Sequence, residues 1–382
     1  MPWREVSVVG ERHEFVRLAR MEGANVRELC RRFGISADIG YKWLKRWEAG
    51  DRDLKDRSRR PRDNPLRCSS EIEARVLGLR DAHPAWGARK IQRCLARTIA
   101  VPAVSTVHAI LCRHGRIDHD APSALRTYSR FEKEAPNLLW QMDFKGAVTL
   151  ANGVRCHPLT MIDDHSRFSP CLKACANEQT TTVQKHMETT FRHYGLPEAI
   201  YVDNGSPWGV PGDTGEWTRL GVWLIKLGIF LMHSRPYHPQ SRGKNERFHR
   251  TLKAEVFAFD IFKDLRHVQR AFDQWLEVYN FQRPHEAIGQ EVPASRYQPS
   301  GRPMPARVPK VEYDEGEIVR TVPSTKAYIS FKGRFWKVSH AFRGERVAIR
   351  PLDADGNYGI FFASHQIGGI NLKQPASRSR RA

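Results

Sequence analysis

No stretch of this 382-residue chain stays apolar for the ~18 residues that a membrane-spanning helix needs. The opening residues, MPWREVSVVGERHEF, lack the hydrophobic centre of a secretory signal. Cysteine is sparse: seven residues, odd in number, scattered, and without a Cys-x-x-Cys pair. That usage excludes a disulfide framework and predicts reduced thiols, several of them packed in cores, in a cytoplasmic protein. Acid is the other shortage, 42 Asp and Glu against 62 Lys and Arg, a net charge of +20. So large a deficit says nothing about fold, but it predicts a polyanionic partner; no membrane is expected, for want of an apolar span.

What is present reads as several domains, since one core seldom serves so long a chain. Residues 1–50 predict a helix-turn-helix. Val26, Leu29, Cys30 and Phe33 share a helical face, Gly34 breaks the helix and Ser36 caps the next. That second helix carries Lys42, Lys45 and Arg46 beside Trp43 and Trp47, as a helix entering the major groove would. A plain helical bundle with a solvated basic face has the same outline. Residues 51–68 are too polar to bury a core and predict a linker. Its Arg57, Arg59 and Arg60, next to Pro61, suit a phosphate backbone or a minor groove, and equally a solvated hinge.

Residues 69–136 repeat the pattern as a second helix-turn-helix, with Ser70 and Glu73 as a capping box, Ser105 as a further cap and Gly115 as a stop. Arg89 and Lys90 are its candidate DNA contacts. Residues 1–136 hold 28 Lys and Arg against 18 Asp and Glu, half of the net surplus, so the charge is shared with the remainder. Two tethered readers gain affinity through effective concentration.

From 137 to 298 the texture predicts a mixed α/β domain: three strands, then alternating helices and strands. Residues 299–310 are Pro-rich and predict a linker. Five short strands in 311–372 predict a small β-barrel, and 373–382 a basic tail.

Three carboxylates of the middle domain stand out. Asp143 sits in an otherwise apolar strand, and Asp203 ends a short strand before an Asn-Gly turn. Glu246 is the one acid of RGKNERFHRTLK, where Lys244, Arg250 and Lys253 are candidate DNA contacts. A half-buried carboxylate is costly unless something positive satisfies it, and hard divalent cations prefer oxygen. A Glu among Arg and Lys also serves as an ordinary helix-surface partner. Asp163 and Asp164 are rival ligands, and spacing alone does not choose among them.

WQMDF, YVDNGSP and RPYHPQSRGKNERFHRTLKAEV resemble the three motifs of DDE-type transposases and retroviral integrases. The N-terminal MPWREVSVVGERHEFV and the linker DRSRRP are similar to bacterial insertion-sequence transposases of family 481, and the likeness runs over nearly the whole chain. The resemblance implies an RNase H-like core with Asp143, Asp203 and Glu246 as catalytic, metal-binding triad for two Mg²⁺ ions, with Mn²⁺ as substitute. Lys253 matches the basic residue that follows the family's glutamate, and YNFQRPHEAIG is similar to the segment closing the core. The implied activity is cleavage at the ends of a mobile element and joining of 3′-hydroxyl ends to target DNA. It would act as a homodimer or larger synaptic assembly on double-stranded DNA in the bacterial cytoplasm, at the nucleoid. An RNase H-like nuclease and a catalytically dead DNA-binding regulator remain the alternatives.

Two departures are visible. Between Asp203 and Glu246 lie 42 residues, more than is usual in the family, with the excess assigned to WGVPGDTGEWTRLG. His108, Cys112, His114 and His119 do not have the spacing of a known zinc site, so no structural zinc is expected.

Overall fold

The structure is a computed structural model and describes residues 7–57, 67–117, 132–204, 207–210, 216–233 and 243–373. It divides into two compact units, Met1–Arg67 and Cys68–Ala382.

In the first unit, α1 (Val8–Ala19), α2 (Val26–Arg32) and α3 (Ala37–Glu48) enclose Phe15, Val16, Cys30, Trp43 and Leu54. Local chemistry sets the boundaries. Asn25 accepts from the Glu28 amide at 3.2 Å and Ser36 from that of Ile39 at 3.3 Å, while Gly34 takes φ +63° between the two helices. The helices meet closely at Gly40, where a Cβ would run into Cys30 Sγ and come 2.9 Å from Phe15 Cζ. The start of the expected linker is part of this unit. Leu54 is fully buried, and its carbonyl accepts from Arg12 at 2.9 Å.

The second unit opens with α4 (Ser70–Ala82), α5 (Ala88–Leu95) and α6 (Val104–Arg113) around Val76, Trp86, Ile91, Val107, Ile110 and Leu111. Two expected caps are corrected. Ser69, not Ser70, accepts from the Ile72 amide, and α6 starts after Ala103 with no side-chain cap. Glu73 turns inward, where its buried carboxylate meets Arg113 at 2.7 Å and His114 at 3.1 Å. Gly115 ends the unit at φ +65°, as expected.

The central sheet contains β1 (Trp140–Phe144), β2 (Val148–Thr149), β3 (Arg155–Asp163), β4 (Cys171–Cys175), β5 (Ala199–Val202) and β8 (Phe230–His233). β3 lies antiparallel to β1, β2 and β4, whereas β1, β5 and β8 run parallel, so the sheet is mixed as expected. A short hairpin, β6 (Gly209–Val210) with β7 (Glu216–Trp217), occupies the apparent insertion.

Helices α7 (Thr180–Tyr194) and α8 (Arg219–Lys226) cover one face of the sheet. There Trp140, Met142, Leu159, Met161, Ile200 and Val202 pack on Met187, Phe191, Leu220 and Trp223. Helices α9 (Gly243–Leu252) and α10 (Leu265–Phe281) cover the other, with Phe248, Leu252, Phe272 and Trp275 against Ile162 and Leu172. Alternation along a strand assigns Gln141 and Asp143 to this second face. A turn of π-helix, Lys253–Phe257, follows α9, and its Glu255 forms a buried ion pair with Arg283 at 2.9 Å.

The segment beyond 299 is not a free tether throughout. Arg302 donates to the carbonyls of Pro197, Leu227 and Gly228, and the Ser300 hydroxyl donates to that of Leu196. Gly195, at φ +78°, lets this segment approach; a Cβ there would come 2.6 Å from the Ser300 carbonyl.

The expected small barrel is not closed. β9 (Ile318–Thr321), β12 (Arg346–Pro351), β13 (Asn357–Phe362) and β14 (His365–Asn371) form an open sheet in the order β14-β13-β12-β9. β10 (Tyr328–Phe331) and β11 (Arg334–Lys337) form a separate hairpin. The two sheets share an apolar core through Ile329, Phe331, Val347, Ile349 and Ile360 rather than through hydrogen-bonded edges. Val222 and Ile225 of α8 enter the same core. Among the described residues no helix is long and apolar enough to cross a membrane.

Candidate active site

The parallel pairing of β1 with β5 sets Trp140 beside Ile200 and Gln141 beside Tyr201. Continuing that register by two residues brings Asp143 level with Asp203, just past the end of β5. Neighbouring strands lie ~4.8 Å apart, and residues at one level of a parallel pair project to the same face. Two carboxylates from segments sixty residues apart thus share one edge of the sheet, on the face covered by α9. Both are half-buried.

A half-buried histidine stands behind each backbone, directly at Asp203 and through Thr160 at Asp143. His233 Nδ1 donates to the Asp203 carbonyl at 3.2 Å. On the other side the Thr160 hydroxyl donates to the Asp143 carbonyl at 2.9 Å and lies 2.8 Å from His249 Nε2. Burial lowers the pKa of both rings. For His249, burial and then the charge of Lys145 push it down to about 4, so the ring is neutral near pH 7.

Glu246 is exposed on α9. Phe248 turns toward α10, its ring centroid 4.9 Å from that of Tyr279. At about 100° per residue, Glu246 falls on the strip of helix next to His249 and away from Phe248. α9 lies against β1, the strand that carries Asp143, while α10 binds β4 through Gln269. Nonetheless, among the described residues no three His, Cys, Asp or Glu side chains are close enough together to hold a metal ion.

The rival acids have other occupations. Asp163 accepts from the Asn137 amide at 2.7 Å and from the Ser166 amide and hydroxyl at 2.8 and 2.6 Å. Asp164, fully buried, accepts from the Lys133 amide and Gln141, and pairs with Lys244. Lys244, expected to touch DNA, is therefore committed inside the protein. Burial lowers its pKa, and the Asp164 bond opposes that shift.

The remaining basic candidates divide in the same way. Lys42 and Lys45 are exposed on α3. Arg46 is not: it pairs with Asp51 at 2.5 Å, donates to the Lys55 carbonyl and stacks 4.5 Å from the Trp43 ring. Arg57 is largely exposed and pairs with Asp51 at 3.3 Å; Arg59 and Arg60 lie outside the described residues. Arg89 pairs with Glu286 at 2.9 Å, and its neighbour Arg93 pairs with Glu291. Lys90, pushed down to about 8 by burial and then by Arg283, lies at the same junction of α5 with the core.

Arg250 and Lys253 are exposed beyond Glu246. Lys145, not anticipated from the sequence, follows Asp143 closely, and its pKa is lowered by burial and by the charge of Lys253. The only hint of it was a cation two residues after the strand acid. Thr160 carried no signal at all.

The core is similar to integrase core domains. Integrase core domain models match residues 133–239 and 227–293, and a helix-turn-helix and a homeodomain-like model match 11–62 and 39–111. Within that class, residues 317–377 match the C-terminal domain of IS481 family transposases. An uncharacterized protein of insertion element IS407 from Burkholderia multivorans is 27% identical over 160 residues, 42% of this chain and 55% of that protein. One of insertion element IS476 from Xanthomonas euvesicatoria is 23% identical over 236 residues, 60% of this chain and 65% of that protein. The chain thus spans between about half and two thirds of these curated relatives. A chain of the simian T-cell lymphotropic virus intasome structure with a PP2A regulatory subunit aligns over 78% of this chain and all of its own, at 17% identity and a TM-score of 0.38. The chain is thus similar to integrases in its core and to IS481 family transposases in its C-terminal segment.

Proposed function

We propose that this protein is a DNA transposase that binds the ends of its own mobile element, cleaves there, and joins the resulting 3′-hydroxyls to target DNA. In this reading Asp143, Asp203 and Glu246 hold two Mg²⁺ ions. One observation supports it: β1 and β5 pair in parallel, Trp140 with Ile200 and Gln141 with Tyr201, a register that, carried two residues further, would set Asp143 level with Asp203.

The donor set fits the group, since three carboxylates offer only the hard oxygens that Mg²⁺ and Mn²⁺ prefer. Three such charges repel one another without a cation between them, so full closure of Glu246 onto the pair is coupled to metal binding. When bound, two such ions would supply charge stabilisation for the attacking and leaving oxygens of an in-line phosphoryl displacement.

The chain's own residues do the rest. Arg250, Lys253 and Lys145 line the approach to the carboxylates and bind the phosphates flanking the scissile bond. His249 and His233, neutral near pH 7, fix the backbones of the acid-bearing strands. The exposed Lys42 and Lys45 of α3 bind the duplex. A synaptic dimer or larger assembly brings two element ends together.

A joining assay tests this, with a duplex carrying an element end as donor, a plasmid as target, and Mn²⁺ present. Asp143→Asn, Asp203→Asn and Glu246→Gln each abolish joining and leave binding to the donor duplex within a few-fold. Joined product from Asp143→Asn at the wild-type level contradicts the assignment.

A further inference from the structure

Glu246 reaches the sheet only through α9, so the placement of that helix sets its distance from Asp143. Two buried polar contacts bracket it. Two residues before Glu246, Lys244 pairs with the fully buried Asp164, which also accepts from Gln141 of β1. Three residues after it, His249 meets Thr160, and Thr160 meets the backbone of Asp143 itself.

The direction of the second contact follows from its chemistry. The Asp143 carbonyl can only accept, so the Thr160 hydroxyl spends its one hydrogen there. Its oxygen is left to accept, and His249 Nε2 must carry the proton. Burial keeps the ring neutral, consistent with a single donating N–H rather than with a charged phosphate clamp.

We infer that His249 is a positioning residue: through Thr160 it ties the helix of Glu246 to the strand of Asp143 and sets the spacing of the carboxylates for the metal ions. The idea rests on the metal site described under Proposed function. It is separable from that site because neither His249 nor Thr160 need touch a metal or DNA. An aliphatic side chain at 249 keeps the helix packed through Phe248 and Leu252 but removes the donor. Asparagine keeps a donor on a shorter arm.

The test is Mn²⁺ binding by the full-length protein, followed by loss of the free-ion paramagnetic resonance signal, alongside thermal unfolding. Asp143→Asn serves as reference and should lose the binding. His249→Leu and Thr160→Val should raise the half-saturating Mn²⁺ about tenfold, the range for residues that orient metal ligands from behind. His249→Asn should recover most of that loss, and affinity for the donor duplex should stay within about twofold in all three. If His249→Leu folds poorly, the same comparison is made with Thr160→Val alone.

Wild-type Mn²⁺ affinity in Thr160→Val, with Asp143→Asn defective, overturns the positioning role and leaves the metal site standing. Unchanged affinity in Asp143→Asn overturns the metal site, and the positioning role with it.

Discussion

The half-buried histidines show how a side chain's duty follows from where its proton is allowed to be. His249 in the folded chain holds its pKa near 4, below the ordinary 6.5, because burial and the facing Lys145 penalise the charged ring. Between those two values the unfolded chain binds a proton that the folded chain refuses. Stability from this group is therefore complete above about pH 6.5 and is lost as pH falls toward 4, at no more than ~1.4 kcal/mol per unit. His233, His186 and His83 are shifted in the same direction by burial, so wild-type slopes contain several contributions. The difference between wild type and His249→Asn isolates one of them. Urea unfolding at pH 7 and pH 5 should show a smaller loss of stability on acidification in the variant; equal losses would mean that the ring is not held neutral.

Charge was the least readable residue property. Lys244, Arg46 and Arg89 read as DNA contacts from local sequence, yet each has a carboxylate partner. The partner of Arg46 is only five residues away, but those of Lys244 and Arg89 come from distant segments that no local window contains.

At the scale of elements, local chemistry was legible wherever one residue type decides the outcome. Gly34, Ser36, Gly115 and Gly195 end or begin helices as their types require. Where two candidates adjoin, as Ser69 and Ser70 do, sequence alone did not separate them: Ser69 is the cap, and Glu73 pairs with Arg113 of α6. Helix α3 illustrates the limit on function. Its sequence presents three cations, but Trp43 and Asp51 take Arg46 into the fold, leaving Lys42 and Lys45 outward. Replacing both with alanine should weaken binding to an element end and flatten the log–log salt dependence by roughly one to two units, about 0.9 for each phosphate that is no longer neutralised. Arg46→Ala should act instead on the melting temperature of the N-terminal unit. An unchanged salt slope in the double variant would place the duplex on another surface.

For the molecule as a whole, helical and strand stretches were readable because their periodicities differ so sharply. The mixed central sheet was expected from its run of strands and helices. Closure of the C-terminal strands into a barrel was not decidable from spacing, because closure depends on which edges pair. Among the described residues β10 and β11 pair only with each other. The carboxylate arrangement was half legible. Asp143 and Asp203 could be singled out as acids in apolar strands, but their common level depends on the β1–β5 register. The hydrogen bonds that occupy Asp163 and Asp164 come from amides and side chains of other segments.

All of this converges on whether divalent ions sit between those strands and α9. Anomalous diffraction from crystals of the protein with a donor duplex, grown in Mn²⁺, answers that directly. The account predicts two strong peaks a few ångströms apart, with oxygens of Asp143, Asp203 and Glu246 within ~2.3 Å of them. Peaks ligated instead by Asp163 or Asp164, or none near Asp143, would contradict it.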